Sequence, residues 1–321
     1  GEGVPASPIS RRAVVGALGV AGAWTLLSAC GRGSPDGAPS DAVTSTATDS
    51  ATGAATPTSG APDVVDPASL PSYDYEEREL AVVSQGETMA GRLYAPAVAG
   101  PVPLVVCSHG LVGSIDDLDP VARTLAGLGL ASYRFAFRNG GPEAGDTTRM
   151  SVLTEKADLN AVFNAIQTLD VVDASNIFLL GASQGGYVSA LEAVDLKDRI
   201  ADLILYFPAL VIPDDARSRF TSAADIPEKY SLFGTPVGRI YFADVYGMDP
   251  YSLISGYTGP VIIFHGDQDN IVPISYSQNA VNTSYSNAQL VTVQGAGHSF
   301  SGDDATSVAG QTISFIEAHQ R

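Results

Sequence analysis

The chain has 321 residues, more than one ordinary domain needs. Its 45% hydrophobic and 16% charged residues can fill a sizeable core, so a wholly disordered, collagen-like or coiled-coil protein is excluded. Seventeen Lys and Arg against 35 Asp and Glu give a formal charge of −18, which repels a phosphate backbone and excludes a general nucleic-acid binder. Two cysteines allow at most one disulfide, too few for a disulfide-stapled scaffold.

The amino terminus reads as an address. Ser10-Arg11-Arg12-Ala13-Val14-Val15 precedes an uncharged apolar run that ends in Leu27-Ser28-Ala29-Cys30. The run is shorter than the roughly 20 apolar residues of a membrane span and ends in small residues suited to cleavage, so residues 1–29 are expected to be a twin-arginine export signal. Leu27-Ser28-Ala29-Cys30 resembles the lipobox of bacterial lipoproteins. That resemblance implies that Cys30 is acylated, becomes the first mature residue and holds the protein in the bilayer on the extracytoplasmic side; the alternative is a secreted protein in which Cys30 is incidental. Acylation leaves Cys107 as a free thiol in a core strand, and no disulfide is expected. Cleavage removes Arg11, Arg12 and Glu2, shifting the charge from −18 to −19, so the signal does not account for the acidity.

Residues 30–72 are rich in Ser, Thr, Ala, Gly, Pro and Asp, with no aromatic between Trp24 and Tyr73. Such a segment buries too little apolar surface to offset its ordering entropy and reads as a flexible tether spanning roughly 35 Å. From residue 73 to 321 the pattern is that of one packed domain. Two β-rich runs, 79–83 and 88–94, flank Ser84-Gln85-Gly86-Glu87 and predict a hairpin. Nearly continuous apolar runs at 102–107, 131–137, 177–180, 203–207 and 261–264 predict strands buried on both faces. Between them, Leu159, Val162, Phe163, Ile166 and Leu169 mark one face of a helix over 151–169. A short strand at 289–293 and a terminal helix at 305–319 complete the set. Alternating strands and helices imply an α/β, doubly wound, mostly parallel sheet.

Residues 211–259 interrupt that alternation between two late core strands. They hold Phe220, Tyr230, Phe233, Tyr241, Phe242, Tyr246, Tyr251 and Tyr257, about twice their share of the chain's aromatics. The segment reads either as a lid over a pocket or as an insertion with its own small core, and both can hold.

Gly181-Ala182-Ser183-Gln184-Gly185-Gly186 follows an apolar strand and precedes a helix-like stretch. This is the G-x-S-x-G elbow, where a sharp turn projects the serine hydroxyl, flanking glycines admit close backbone contacts and the next helix supplies N–H donors. A dinucleotide loop needs G-x-G-x-x-G, and Ser183 stands at its second glycine. A serine requires a base, and the base an orienting group. Of His109, His265, His298 and His319, only His298 lies in a glycine-flanked loop downstream of a plausible acid. Asp269 and Asp267 are the candidate acids. No clustered His and Cys set suggests zinc, no calcium-loop spacing occurs, and no cofactor is expected.

Together His109-Gly110, the Ser183 elbow, His265-Gly266-x-x-Asp269-x-x-Val272-Pro273 and Gly297-His298 make residues 75–321 resemble the α/β-hydrolase esterases. Within them the chain is most similar to the cinnamoyl (feruloyl) esterase and dienelactone-hydrolase-like branch, which carries S-Q-G-G at the nucleophile and an insert over the site. The resemblance implies Ser183 as nucleophile, His298 as base and Asp269 as its acid, with backbone N–H groups of Leu111 and Gln184 forming the oxyanion hole. His109 and His265 are implied to orient loops, and His319 to be incidental. Arg134-Phe135-Ala136-Phe137-Arg138-Asn139-Gly140-Gly141 departs from the branch, which commonly has an aspartate near Ala136 and a G-x-G turn; one wall of the pocket is expected to differ. The implied activity is hydrolysis of carboxylic esters, small or polymer-linked, with aryl or hydroxycinnamoyl groups suggested by the aromatic insert. A serine peptidase or amidase on the same fold, and a catalytically silent surface binding protein, are the alternatives.

Overall fold

The computed structural model describes residues 65–321 except residue 142; the expected export signal, Cys30 and the tether up to residue 64 lie outside the described residues. The chain enters through a 3-10 turn, Pro67–Ser69, capped by the Asp66 carboxylate and laid against the last helix, where the Val65 N–H donates to Ser314 Oγ at 3.3 Å.

In place of one continuous hairpin, the first strands form two nested pairs. β2 (Val82–Ser84) and β3 (Glu87–Met89) pair through Gln85 and Gly86, whose φ values of 51° and 80° suit the tight turn that matches strand twist. β1 (Tyr75–Glu79) pairs antiparallel with β4 (Gly91–Pro96), and both join the main sheet. The Leu80 N–H donates to Gly91 O where the two pairs divide.

The remaining main-sheet strands are β5 (Val102–Ser108), β6 (Ala131–Phe135), β7 (Val172–Ala182), β8 (Leu203–Tyr206), β11 (Val261–Gly266) and β12 (Ala288–Val293). Their order is β1-β4-β6-β5-β7-β8-β11-β12, antiparallel at the β1–β4–β6 edge and parallel from β6 onward. The α/β, doubly wound, mostly parallel class expected from the alternation is the class that forms. Period-two side-chain alternation divides the core. Leu104 and Val106 of β5 pack with Leu159, Val162, Phe163 and Ile166 of α2 (Val152–Ile166) and with Val188 and Leu191 of α3 (Gln184–Leu196). On the opposite face Val105 and Cys107 pack with Val121 and Leu125 of α1 (Asp119–Gly127) and with Val308 and Ile313 of α8 (Gly302–His319). Cys107 is free and buried, and burial pushes its thiol up to about 12.

Residues 211–259 form α4 (Ile212–Arg219), the hairpin β9 (Lys229–Leu232) with β10 (Thr235–Gly238), α5 (Arg239–Ala243) and α6 (Pro250–Ile254). Phe220, Tyr230, Tyr241 and Phe242 stack edge to face, with ring centroids 5.1–5.7 Å apart. This cluster is continuous with the main core, and Gly238 lies so close to Thr148 that a Cβ there would overlap its carbonyl. The insert therefore has packing of its own and is also pressed onto the domain. After β11 the chain forms α7 (Ser275–Thr283) before β12.

Candidate active site

Four loops converge at the carboxyl ends of the parallel strands, where open α/β sheets place their ligands. Ser183 makes the elbow between β7 and α3, with φ 53° and ψ −119°, a conformation that costs a non-glycine residue energy. The surroundings hold it there. The Ser183 N–H donates to Tyr206 O at 2.9 Å, and Ser183 O accepts from the N–H groups of Tyr187 and Ala209 at 3.1 and 2.9 Å. A Cβ at Gly185 would overlap the carbonyl oxygens of Ser108 and His109, so glycine is what lets α3 start this close to β5.

Ser183 Oγ lies 2.8 Å from His298 Nε2, and His298 Nδ1 lies 2.7 Å from Asp269 Oδ2. A carboxylate only accepts, so the imidazole proton sits on Nδ1 and Nε2 is left to accept from the serine hydroxyl. His298 follows β12 in a loop and packs against Phe207, ring centroids 4.7 Å apart. Asp269 follows β11; its Oδ1 accepts the N–H groups of Ile271 and Val272, both at 2.9 Å. Burial pushes this carboxyl up, but hydrogen bonds from His265 and His298, the imidazole charge and the Val272 N–H outweigh it and hold the group well below the usual carboxylate range. Asp267, the other candidate acid, instead accepts the Gly295 N–H at 2.7 Å.

His265 touches the same carboxylate from behind. Its Nε2 is 2.8 Å from Val272 O and 3.2 Å from Asp269 Oδ2, so that nitrogen carries the proton and Nδ1 accepts from Ser277 Oγ at 2.7 Å. His109 Nε2 accepts the Phe137 N–H at 3.2 Å, which places its proton on Nδ1, 2.8 Å from Gly110 O. Burial lowers the pKa of His109 and keeps the ring neutral. The carbonyl of Gly110 and the N–H of Leu111 are two ends of one peptide plane, so this bond fixes the direction of the Leu111 N–H. A Cβ on Gly110 would stand 3.2 Å from Ser183 Cβ, which shows how near this turn lies to the serine. The Gln184 N–H opens α3 and has no acceptor within the helix. His319, far along α8, donates to Phe315 O at 2.8 Å.

The segment 134–141 backs the loop that follows Leu111. Arg134 is buried, its guanidinium on Tyr94 Oη and Asp119 at 2.7 Å and on Ile115 O at 2.5 Å. Arg138 pairs with the buried Asp158 at 2.5 Å. A cavity of about 300 Å³ opens beside Val112, between Gly145, Asp146 and Thr147 and the hairpin residues Gly234, Thr235 and Pro236. No aromatic lines it, and the aromatic cluster of the insert packs on itself and on the main core.

Sequence reasoning missed Glu155 and Tyr241, which bracket the Gln184 side chain: Tyr241 Oη donates to Gln184 Oε1 at 2.8 Å, and Gln184 Nε2 donates to Glu155 Oε2 at 2.9 Å. The available signal was Glu155 and Asp158, two acids three apart on the apolar face of α2. Among the described residues no group of three or more His, Cys, Asp or Glu is placed to hold a metal ion.

The family model for serine aminopeptidase, S33, matches residues 99–231. Est1E from Butyrivibrio proteoclasticus, solved with ferulic acid bound, superposes with a TM-score of 0.68 at 26% identity, over 75% of this chain and 98% of that one. The fold is that of the α/β-hydrolases. Among curated proteins, the chain is 27% identical over 225 residues to an uncharacterized protein of Mycobacterium tuberculosis, covering 69% of this chain and 72% of that one. It is also 25% identical over 201 residues to monoglyceride lipase of Mus musculus, covering 59% and 65%.

Proposed function

We propose that this α/β-hydrolase is a serine esterase. The observation that carries the reading is the unbroken line from Ser183 Oγ through His298 to Asp269, with contacts of 2.8 and 2.7 Å. Ser183 attacks the ester carbonyl carbon while His298 Nε2 takes its proton, and the charge on the carbonyl oxygen falls to the N–H groups of Leu111 and Gln184. The proton on His298 passes to the departing alcohol. Water then attacks the acyl-enzyme, giving a proton to His298, and the acid leaves as Ser183 Oγ recovers it. Asp269 keeps the imidazole in the required tautomer throughout. An aryl or hydroxycinnamoyl ester draws its support from Est1E, whose structure carries ferulic acid. The proposal also retains the exported, bilayer-held state through acylated Cys30, supported by the amino-terminal sequence alone.

Amide hydrolysis uses the same groups, and the match to a family described as a serine aminopeptidase favours it as the second reading. Assays on matched panels, p-nitrophenyl and hydroxycinnamoyl esters beside aminoacyl anilides, separate the two. Ester turnover should exceed anilide turnover. A fluorophosphonate should label Ser183, and Ser183→Ala should lose both labelling and at least about 10⁴-fold in kcat. An active Ser183→Ala removes the nucleophile assignment.

A further inference from the structure

The side chain of Gln184 is a bridge between two distant elements. It is 1% exposed, and both ends of its amide are occupied: Oε1 by the Tyr241 hydroxyl from α5 in the insert, and Nε2 by Glu155 on α2, with Met150 Sδ also 3.6 Å from Nε2. Tyr241 and Glu155 are themselves buried, and Glu155 Oε1 has no hydrogen-bond partner among the described residues. Burial, seconded by Asp158, pushes the Glu155 carboxyl well above its ordinary value against the Gln184 hydrogen bond. Solubility gives no reason for this chain of polar groups, since buried polar atoms destabilise unless each is satisfied.

What the chain does is fix residue 184. An amide held at both ends cannot rotate without breaking a buried hydrogen bond, and the first residue of α3 is held with it. The N–H of that residue is an oxyanion donor in the proposed mechanism, where small errors of position matter because the stabilisation depends on donors aimed in advance. We propose that Tyr241 and Glu155 are positioning residues for the oxyanion donor at Gln184, so that docking of the insert sets the turnover rate. The inference rests on the serine-hydrolase reading.

Tyr241→Phe deletes one hydroxyl and little volume. With active sites counted by fluorophosphonate titration, so that only folded enzyme enters the rate, kcat on a p-nitrophenyl ester should fall about tenfold while KM stays within twofold. Affinity for phenylboronic acid, which forms a tetrahedral adduct on Ser183, should fall by a similar factor. Tyr230→Phe removes another hydroxyl from the same insert, one that accepts from Arg219 at 3.0 Å and does not reach Gln184, and should leave kcat and boronate affinity unchanged. Glu155→Gln, which keeps an acceptor for Gln184 Nε2, should stay within threefold of wild type where Glu155→Leu loses about tenfold. Wild-type kcat in Tyr241→Phe, equal losses in Tyr241→Phe and Tyr230→Phe, a loss confined to KM, or equal losses in the two Glu155 variants would overturn the proposal. A dead Ser183→Ala beside an unaltered Tyr241→Phe rejects this inference alone; an active Ser183→Ala rejects the reading beneath it.

Discussion

Four N–H groups point at the Asp269 carboxylate, two from the backbone and two from imidazoles. Asn in its place would keep an oxygen for Ile271 and Val272 but turn an NH₂ toward His298 Nδ1. The imidazole proton would then move to Nε2, where it blocks acceptance from Ser183. Asp269→Asn should lower kcat about 10⁴-fold at neutral pH, measured per titrated active site. Its stability follows from the depressed pKa: the carboxylate contributes stability above its unfolded-chain value, and wild type loses that as pH falls through the lower folded value. At this scale the sequence was most legible where stereochemistry is local. An elbow needs its glycines within two residues, and a loop histidine needs small neighbours. Asp267 and Asp269 were not separable by spacing; what distinguishes them is which turn each carboxylate caps. The bracket around Gln184 joins residues 29 and 57 positions away, and no local pattern records such a pairing.

Among the elements, α2 ties the insert to the sheet. Ser151 caps it, accepting the Thr154 N–H at 3.2 Å while the Thr154 hydroxyl accepts the Ser151 N–H at 2.9 Å. The Ser151 hydroxyl also donates to Asp244 just past α5. Ser151→Ala removes the cap and the cross-link together, and urea unfolding should show a loss of about 1–2 kcal/mol. Central strands and α2 were readable because burial on one or two faces writes a strong pattern into the chain. β1 was not: its Tyr-Glu-Glu-Arg-Glu is an exposed edge with no apolar face to announce it. The β9–β10 hairpin escaped for a related reason, since its strands are four residues each and its turn puts Phe233 at a φ of 49°, a conformation that sequence assigns to glycine or asparagine.

Across the whole molecule, the end of the sheet opposite the site holds another buried acid. Asp202 precedes β8, and among the described residues neither carboxylate oxygen has a hydrogen-bond partner; His319 Nδ1, 3.2 Å from Oδ2, already serves Phe315 O. Burial pushes this carboxyl up to about 8, with Arg321 drawing it partly back. The folded protein thus keeps a proton that the unfolded chain releases at the ordinary carboxyl value, so stability present at low pH is lost as pH rises toward 8. Asp202→Asn carries no such charge. Its melting temperature should gain on wild type from pH 4 to pH 8 and hold a constant lead above that, with kcat unaltered because the site lies at the other end of the strands.

The twisted backbone at Ser183 sets durability against chemistry. Glycine would occupy that corner without strain, whereas serine there gives up about 1–3 kcal/mol. A lineage selected only to survive heat would therefore shed the reactive hydroxyl early, and its descendants would be sturdier and inert.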